Sequence, residues 1–296
     1  MKQLLILLIS ITTIHAKAQY CGAGYYDENF QNILSARVTY IERTGDAQLD
    51  AVLEDAMAKY WTITKYEFTD RKKMQKEAPK TNVAFLALYR HIGGRGMKSF
   101  TISEFALIAG GKDTISYENM VASAYLNDPY NSNGKPISYY NPPTVEPDAF
   151  VHLLPNVIKG INDAVLLVKK DKSKIKDIVK GQAYMNTNFY NQRAAILKNK
   201  TLCVLASNVE NPEKIAKSYP YKIEFLNQKD FDKVVDGKRK DAVYLIINLS
   251  DPMDHILITD PIKREVVYGR FVGIISTMDA GDFKDIVKQI DKATGY

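Results

Sequence analysis

Two stretches of the chain share one pattern: "TITKYEFTDRKKMQKE" at residues 62–77 and "PYKIEFLNQKDFDKVV" at residues 220–235. Each reads as a strand that closes on Glu-Phe, a short polar turn and the opening of a basic helix. When the two Glu-Phe pairs are aligned, the same order of segments continues on both sides. This self-similarity indicates that one structural unit occurs twice.

Downstream of the aligned pairs, "VAFLALY" (83–89) corresponds to "AVYLIIN" (242–248). Both are continuous apolar runs, typical of strands that are covered on both faces. The turn signals "GGRG" (93–96) and "SDPMD" (250–254) follow, and a further strand on either side of each turn predicts a hairpin. The last strand of the first copy is predicted at "DTISY" (113–117).

Upstream, "RVTYIE" (37–42) corresponds to "TLCVLA" (201–206), with a helix pattern between each strand and its Glu-Phe pair. In the second copy Asn211 is a candidate N-cap and Pro212 fits the first helical position. Each copy also closes on a helix, and Asp279 is expected to cap the second of these.

The fold class is therefore α/β, with α+β as the alternative. We expect two related β-α-β-α-β-β-β-α units, each a mixed sheet packed with helices, whose strand-helix-strand crossovers are right-handed. The predicted organisation is a signal peptide (1–18), an N-terminal segment (19–36), a first domain (37–170) with a loop at 126–147, a helical connector (171–200) and a second domain (201–296).

The segment order of each copy resembles the small α/β domains at the N-terminus of TolB and in CsgG-type secretion lipoproteins. The resemblance implies the fold of each unit; it includes no residue motif and therefore implies no function. The order is also similar to that of thioredoxin, but the chain has no C-x-x-C, so thioredoxin's redox chemistry does not carry over.

The first residues, "MKQLLILLISITTIHAKAQ" (1–19), combine a basic Lys2, an apolar run and an A-x-A site. This is typical of a signal peptide, which we expect to be cut after Ala18. The run from Leu4 to Ile14 is too short to span a bilayer. The chain is thus predicted to be exported, to a periplasm or outside the cell. The alternatives are an uncleaved anchor and a lipid on Cys21.

Charge and cysteine content exclude several classes of function. The chain has 40 basic and 34 acidic residues, and its net charge is +6. Without Lys2 and Lys17 it is 38 − 34 = +4, too mild to favour nucleic acid as a partner. Two cysteines cannot build a thiolate zinc site or a disulfide scaffold. Cys203 is expected in a buried strand, and whether it pairs with Cys21 stays open.

Candidates for chemistry are few. After the signal peptide, the histidines are His91, His152 and His255, and none has metal-ligand spacing. His255 follows a carboxylate in "DPMDH" (251–255). Arg95 lies in "HIGGRG" (91–96), which could hold a phosphate, but a strand follows it, so a hairpin turn is predicted instead. We expect no catalytic constellation, metal or cofactor.

The tyrosines in the loop 126–147 are the sequence feature that most favours a binding function, because exposed tyrosines are enriched at interfaces. We expect an exported, non-catalytic binding protein that contacts a protein or glycan through this loop or through the cleft between the copies. A membrane surface is not favoured. The alternative is a hydrolase of an envelope polymer, with its carboxylates brought together by the fold. The predicted binding residues are Tyr130, Tyr139, Tyr140, Arg95 and His255.

Overall fold

The computed structural model describes residues 22–23, 27–95, 98–125, 154–171, 190–248, 254–272 and 277–293. The elements of the first unit are β1 (Gly22–Ala23), α1 (Glu28–Ser35), β2 (Val38–Glu42), α2 (Ala47–Tyr60), β3 (Tyr66–Thr69), α3 (Arg71–Glu77), β4 (Val83–Arg95), β5 (Lys98–Ala109), β6 (Met120–Tyr125) and α4 (Leu154–Lys170). Those of the second are a 3₁₀ helix (Asn191–Lys198), β7 (Thr201–Leu205), α5 (Pro212–Ser218), β8 (Ile223–Leu226), α6 (Gln228–Val235), β9 (Ala242–Asn248), β10 (Asp254–Asp260), β11 (Glu265–Val272) and α7 (Ala280–Lys292).

The two sheets have the same topology, which confirms the predicted α/β class and the repeated unit. The first sheet has the order β1-β6-β5-β4-β2-β3, and the second has the order β11-β10-β9-β7-β8. Strands β2, β3 and β4 of the first sheet and β7, β8 and β9 of the second are parallel to one another. The next two strands of each copy extend the sheet as an antiparallel meander. The first sheet gains β1 as an extra strand beside β6.

A bulge at matching positions strengthens the equivalence of the two copies. In the first sheet the pairing of β5 with β6 shifts between Leu107 and Ile108. In the second, the pairing of β10 with β11 shifts between Ile258 and Thr259. Each shift lies the same number of residues past the equivalent pairs Tyr89↔Glu104 and Asn248↔His255. Bulges are specific features of a fold, and their coincidence here favours a duplicated unit over convergent pattern.

The structure corrects three details. The last strand of the first copy was predicted at 113–117, but it is β6 at Met120–Tyr125. The residues that form it, "MVASA" (120–124), are all buried. Gly93 and Gly94 of "GGRG" lie within β4, which runs on to Arg95. The strand pairing aligns Val38 with Thr201, one residue from the alignment expected. With this offset, α1 corresponds to the 3₁₀ helix, so the similarity extends to a helix before each first strand.

The expected caps of the second unit are confirmed. The Asn211 side chain accepts a hydrogen bond from the Lys214 N–H, and Pro212 occupies the first turn of α5. Asp279 and Asp282 form a reciprocal capping box at the start of α7. These side chains satisfy N–H groups that the first turn of a helix leaves unpaired.

Helix α4 joins the two units. It packs on α2, β1 and β6 of the first unit and on β11 of the second. Its buried residues belong to one apolar core that includes Ile41 and Leu86 of the first sheet as well as Tyr244 and Leu257 of the second. The opposite face of the second sheet is covered by a separate core with α5 and α7. One helix therefore supplies part of the apolar cover of both sheets.

Two buried asparagines of α4 fix its position against each unit. Asn162 Oδ1 accepts a hydrogen bond of 2.8 Å from the Thr62 N–H in the first unit. Asn156 Nδ2 donates a hydrogen bond of 2.6 Å to the Tyr244 hydroxyl in the second unit. Burying an amide requires such partners, so these bonds favour one register of α4 between the sheets.

We predict that Ile161→Ala, which deletes a fully buried side chain of α4, lowers the free energy of unfolding by about 2–5 kcal/mol. Because α4 belongs to both units, the urea transition should shift as a whole and stay single. The control is Ile262→Ala, at a side chain that is 48% exposed, which should change stability by less than about 0.5 kcal/mol. Separation into two transitions, with only one shifted, would contradict a shared core.

Candidate functional site

The junction between the units is closed by charged side chains as well as by the apolar core. Lys159 Nζ on α4 lies 2.6 Å from Asp163 Oδ2 and 3.2 Å from Glu265 Oε1 at the start of β11. The Arg193 guanidinium lies 3.5 Å from the other oxygen of Glu265. These side chains are mostly buried, so the ion pairs are less screened by solvent than surface pairs are.

A small crevice beside these ion pairs is lined by Asn156, Gly160, Asp163, Tyr190, Arg193, Thr259, Arg264, Glu265 and Val266. Its free space is on the order of a single water molecule. The hydroxyl of Thr259, a fully buried residue on its wall, has no protein hydrogen-bond partner. One ordered water would satisfy that hydroxyl, whereas a ligand of several atoms would not fit. This crevice, at the junction between the copies, therefore has no room for such a ligand.

A polar cluster lies at the carboxyl end of the first sheet. Glu42, the last residue of β2, accepts a 2.9 Å hydrogen bond from Arg71 Nη1 at the start of α3. The Arg71 guanidinium also stacks over the ring of Tyr89 on β4, 5.2 Å from its centre. Removal of water around Glu42 raises the pKa of its carboxyl, and the attraction to Arg71 opposes this only in part. The cluster sits between β2 and β4, where open α/β sheets commonly bind ligands.

The charged residues of this cluster are not repeated at the equivalent positions of the second copy. The positions equivalent to Glu42, Arg71 and Tyr89 are Leu205, Gln228 and Asn248. The core of the repeated unit therefore does not require the charged groups at this end of the sheet.

Within the described strands, the hairpin of β4 and β5 is longer than its equivalent in the second copy. Fourteen residues separate Tyr89 from Glu104, whereas six separate the equivalent Asn248 and His255. The extra residues continue the ladder by six pairs, from Arg90↔Ser103 to Arg95↔Lys98. At about 3.4 Å per residue the extension is about 20 Å long. We call this two-stranded extension, residues 90–95 and 98–103, the ribbon.

Two of the predicted binding residues, Arg95 and His255, lie in described strands. Arg95 is the last residue of β4, where its backbone pairs with Lys98 at the end of the ribbon. His255 lies in β10, paired with Phe271 and Asn248. The structure thus places the two residues in different units and gives backbone positions for both. Tyr130, Tyr139 and Tyr140 lie outside the described residues. The polar cluster at Glu42 was missed by sequence reasoning, although "IERT" at a strand end was a usable signal.

Cys203 lies in the middle of β7, as expected, and its thiol is free. Burial raises the pKa of the thiol to about 12, although the Arg239 guanidinium, 3.7 Å away, favours the thiolate. Such a thiol is chemically inert, because only the thiolate reacts. In the described part of the chain, no group of three or more His, Cys, Asp or Glu side chains could hold a metal ion. No described helix is long and apolar enough to span a bilayer.

Comparisons with protein-family models, with curated proteins and with solved structures found no match for this chain.

We predict that Cys203 resists a thiol reagent such as dithionitrobenzoate in the folded protein. With a pKa of about 12, on the order of one thiol in ten thousand is ionised at pH 8. A Cys21→Ser variant removes the other cysteine, so that the absorbance change reports Cys203 alone. In about 8 M urea, a concentration that unfolds most proteins, the thiol should react within minutes. Rapid reaction of the native protein would contradict the burial of Cys203.

We predict that Arg71→Met destabilises the protein more at pH 7 than at pH 4.5. Without the guanidinium the pKa of Glu42 rises further. A carboxyl whose pKa is raised on folding lowers stability progressively as the pH rises above its unfolded pKa. Urea denaturation at both pH values measures this. Glu42→Gln in the same chain should remove the pH dependence, and Lys233→Met, at an exposed ion pair, is the control. An equal loss at both pH values would refute the assignment.

Proposed function

We propose that this chain is an exported, non-catalytic binding protein of the cell envelope or exterior, in which the first copy carries the partner surface. The observation that supports this is the asymmetry between the copies. They share strand order and a bulge, yet the second copy has a six-residue connection in place of the ribbon and uncharged residues at the positions equivalent to Glu42 and Arg71. Features that a second copy of the same fold lacks are not needed for folding, and loops and extensions of this kind commonly serve binding.

The proposal assigns the second copy a supporting role. Its sheet is covered on one face by α6 with α4 and on the other by α5 and α7. Its part of the junction with the first unit is occupied by side chains and leaves room for about one water. We therefore assign the partner to the outer surface of the first copy, where the ribbon and the loop 126–147 belong to the same unit.

Hydrolysis of an envelope polymer is the second candidate, and one observation favours it. Asp163 and Glu265 both contact Lys159 at the junction, so two carboxylates do share one site. Each lies against a cation, and the crevice beside them has no room for a sugar or peptide unit. If the protein hydrolyses such a polymer, Asp163→Asn and Glu265→Gln should each abolish the turnover; the binding proposal expects no turnover to measure.

The test is a co-purification from the native envelope after crosslinking, with the partner identified by mass spectrometry. Three tagged chains are compared: the mature protein from Gln19, a variant that lacks residues 127–145, and a graft in which residues 90–103 are replaced by residues 249–254. The graft gives the first copy the short connection of the second, so the fold has a precedent within the chain. Circular dichroism and urea denaturation confirm that each variant is folded.

We expect a specific partner with the mature protein and at least a tenfold loss with one of the two variants, as for removal of an interface core. Loss of the partner with the graft would assign binding to the ribbon, and loss of the partner with the deletion would assign binding to the loop 126–147. Equal recovery of a partner with all three folded chains, or recovery of no partner, would refute the proposal.

A further inference from the structure

The ribbon presents two strand edges that no described strand covers. On one side, β2 pairs with Val83–Leu86 of β4 and reaches no further. On the other, β6 pairs with Glu104–Ile108 of β5. The six ribbon pairs lie beyond both partners. Strand edges without a paired neighbour are templates for another strand, and a two-stranded hairpin alone is only marginally stable in water.

The sequence of the ribbon makes it weaker still as an isolated structure. Arg95 and Lys98 lie directly opposite each other, and like charges at such positions destabilise a strand pair. Gly93 and Gly94 lie within the strand, where glycine costs conformational entropy and offers no side chain for packing. A ribbon with these features gains most from a third strand that supplies opposite charge.

The charge of the ribbon is of one sign. Residues 90–103 contain Arg90, His91, Arg95 and Lys98 and no aspartate or glutamate. The equivalent connection of the second copy, "LSDPMD" (249–254), contains two aspartates and no basic residue. Basic residues at this place are thus a property of the extension and not of the repeated fold.

We propose that the ribbon binds an extended acidic segment of a partner protein, which adds to its edge as a further strand. The main-chain hydrogen bonds of strand addition supply affinity, and opposite charges across the new pair select an acidic sequence. This inference rests on the proposed function and narrows it to one class of partner and one mode of binding.

The test uses the mature chain and a fluorescent ten-residue peptide of alternating Glu and Val, with alternating Lys and Val as the control peptide. Fluorescence anisotropy measures binding, and hydrogen exchange measures protection of the amides in residues 90–103. We expect the acidic peptide to bind at least about tenfold more tightly than the basic one, and to slow exchange in the ribbon.

Two variants with the same change in net charge separate the ribbon from the general basicity of the chain. Replacement of Arg90, Arg95 and Lys98 by Gln should weaken the acidic peptide at least about tenfold. Replacement of Lys284, Lys288 and Lys292, which are exposed on α7, should weaken it less than about twofold. Equal weakening by both would overturn the proposal, because it would show non-specific attraction.

Three further outcomes would also overturn it. If vesicles of phosphatidylglycerol bind the chain and slow amide exchange in the ribbon while the acidic peptide does not, the ribbon is assigned to an anionic membrane. If amide exchange in the ribbon is slow in the free chain and becomes fast when residues 127–145 are deleted, the loop of the chain itself covers the edge of the ribbon. A co-purified partner that needs the ribbon, with no binding of the acidic peptide, would leave the proposed function standing and remove only the acidic strand.

Discussion

The structure depends on the burial of α4 between two sheets. Most helices at the surface of a domain have one apolar stripe and one polar face. In α4 the buried residues include Asn156, Val157 and Asn162, which at about 100° per residue are spread around more than half of the helix circumference. Each asparagine bonds to a different unit, so the helix is held from both sides. Neither unit can therefore be removed without exposing apolar surface that α4 now covers or presents.

The equivalent helix of the second copy is amphipathic in the ordinary way. Helix α7 buries Phe283, Ile286 and Ile290 on one face. On the other face it exposes Lys284 and Lys288. The helices that close the two copies therefore differ: α4 contacts elements of both units, whereas α7 covers one face of the second sheet.

The sequence was sufficient for the architecture because both sheets depend on hydrophobic pattern and turn chemistry, which are local. The cap at Asn211 and the buried run around Cys203 were predicted for that reason. The double burial of α4 was not foreseen, since it depends on how two units pack, although the continuous apolar run from Ala164 to Val168 was a signal. Gly93 and Gly94 were predicted to form a turn because glycine marks turns more often than strand interiors. Here the strand passes through them, since its pairing with β5 continues to Arg95.

The positions at which the copies agree and differ separate folding from binding. The matching bulges lie at the centre of each meander, where a shift of one residue would turn buried side chains of β5 or β10 to the wrong face. Packing therefore explains why both copies keep them. The short connection of the second copy shows that the meander closes without the ribbon. Glycines within a strand and like charges at paired positions both lower the stability of a two-stranded ribbon. The packing of each meander therefore accounts for the bulges, which both copies have, whereas closure of the meander does not require the ribbon, which the first copy alone has among the described residues.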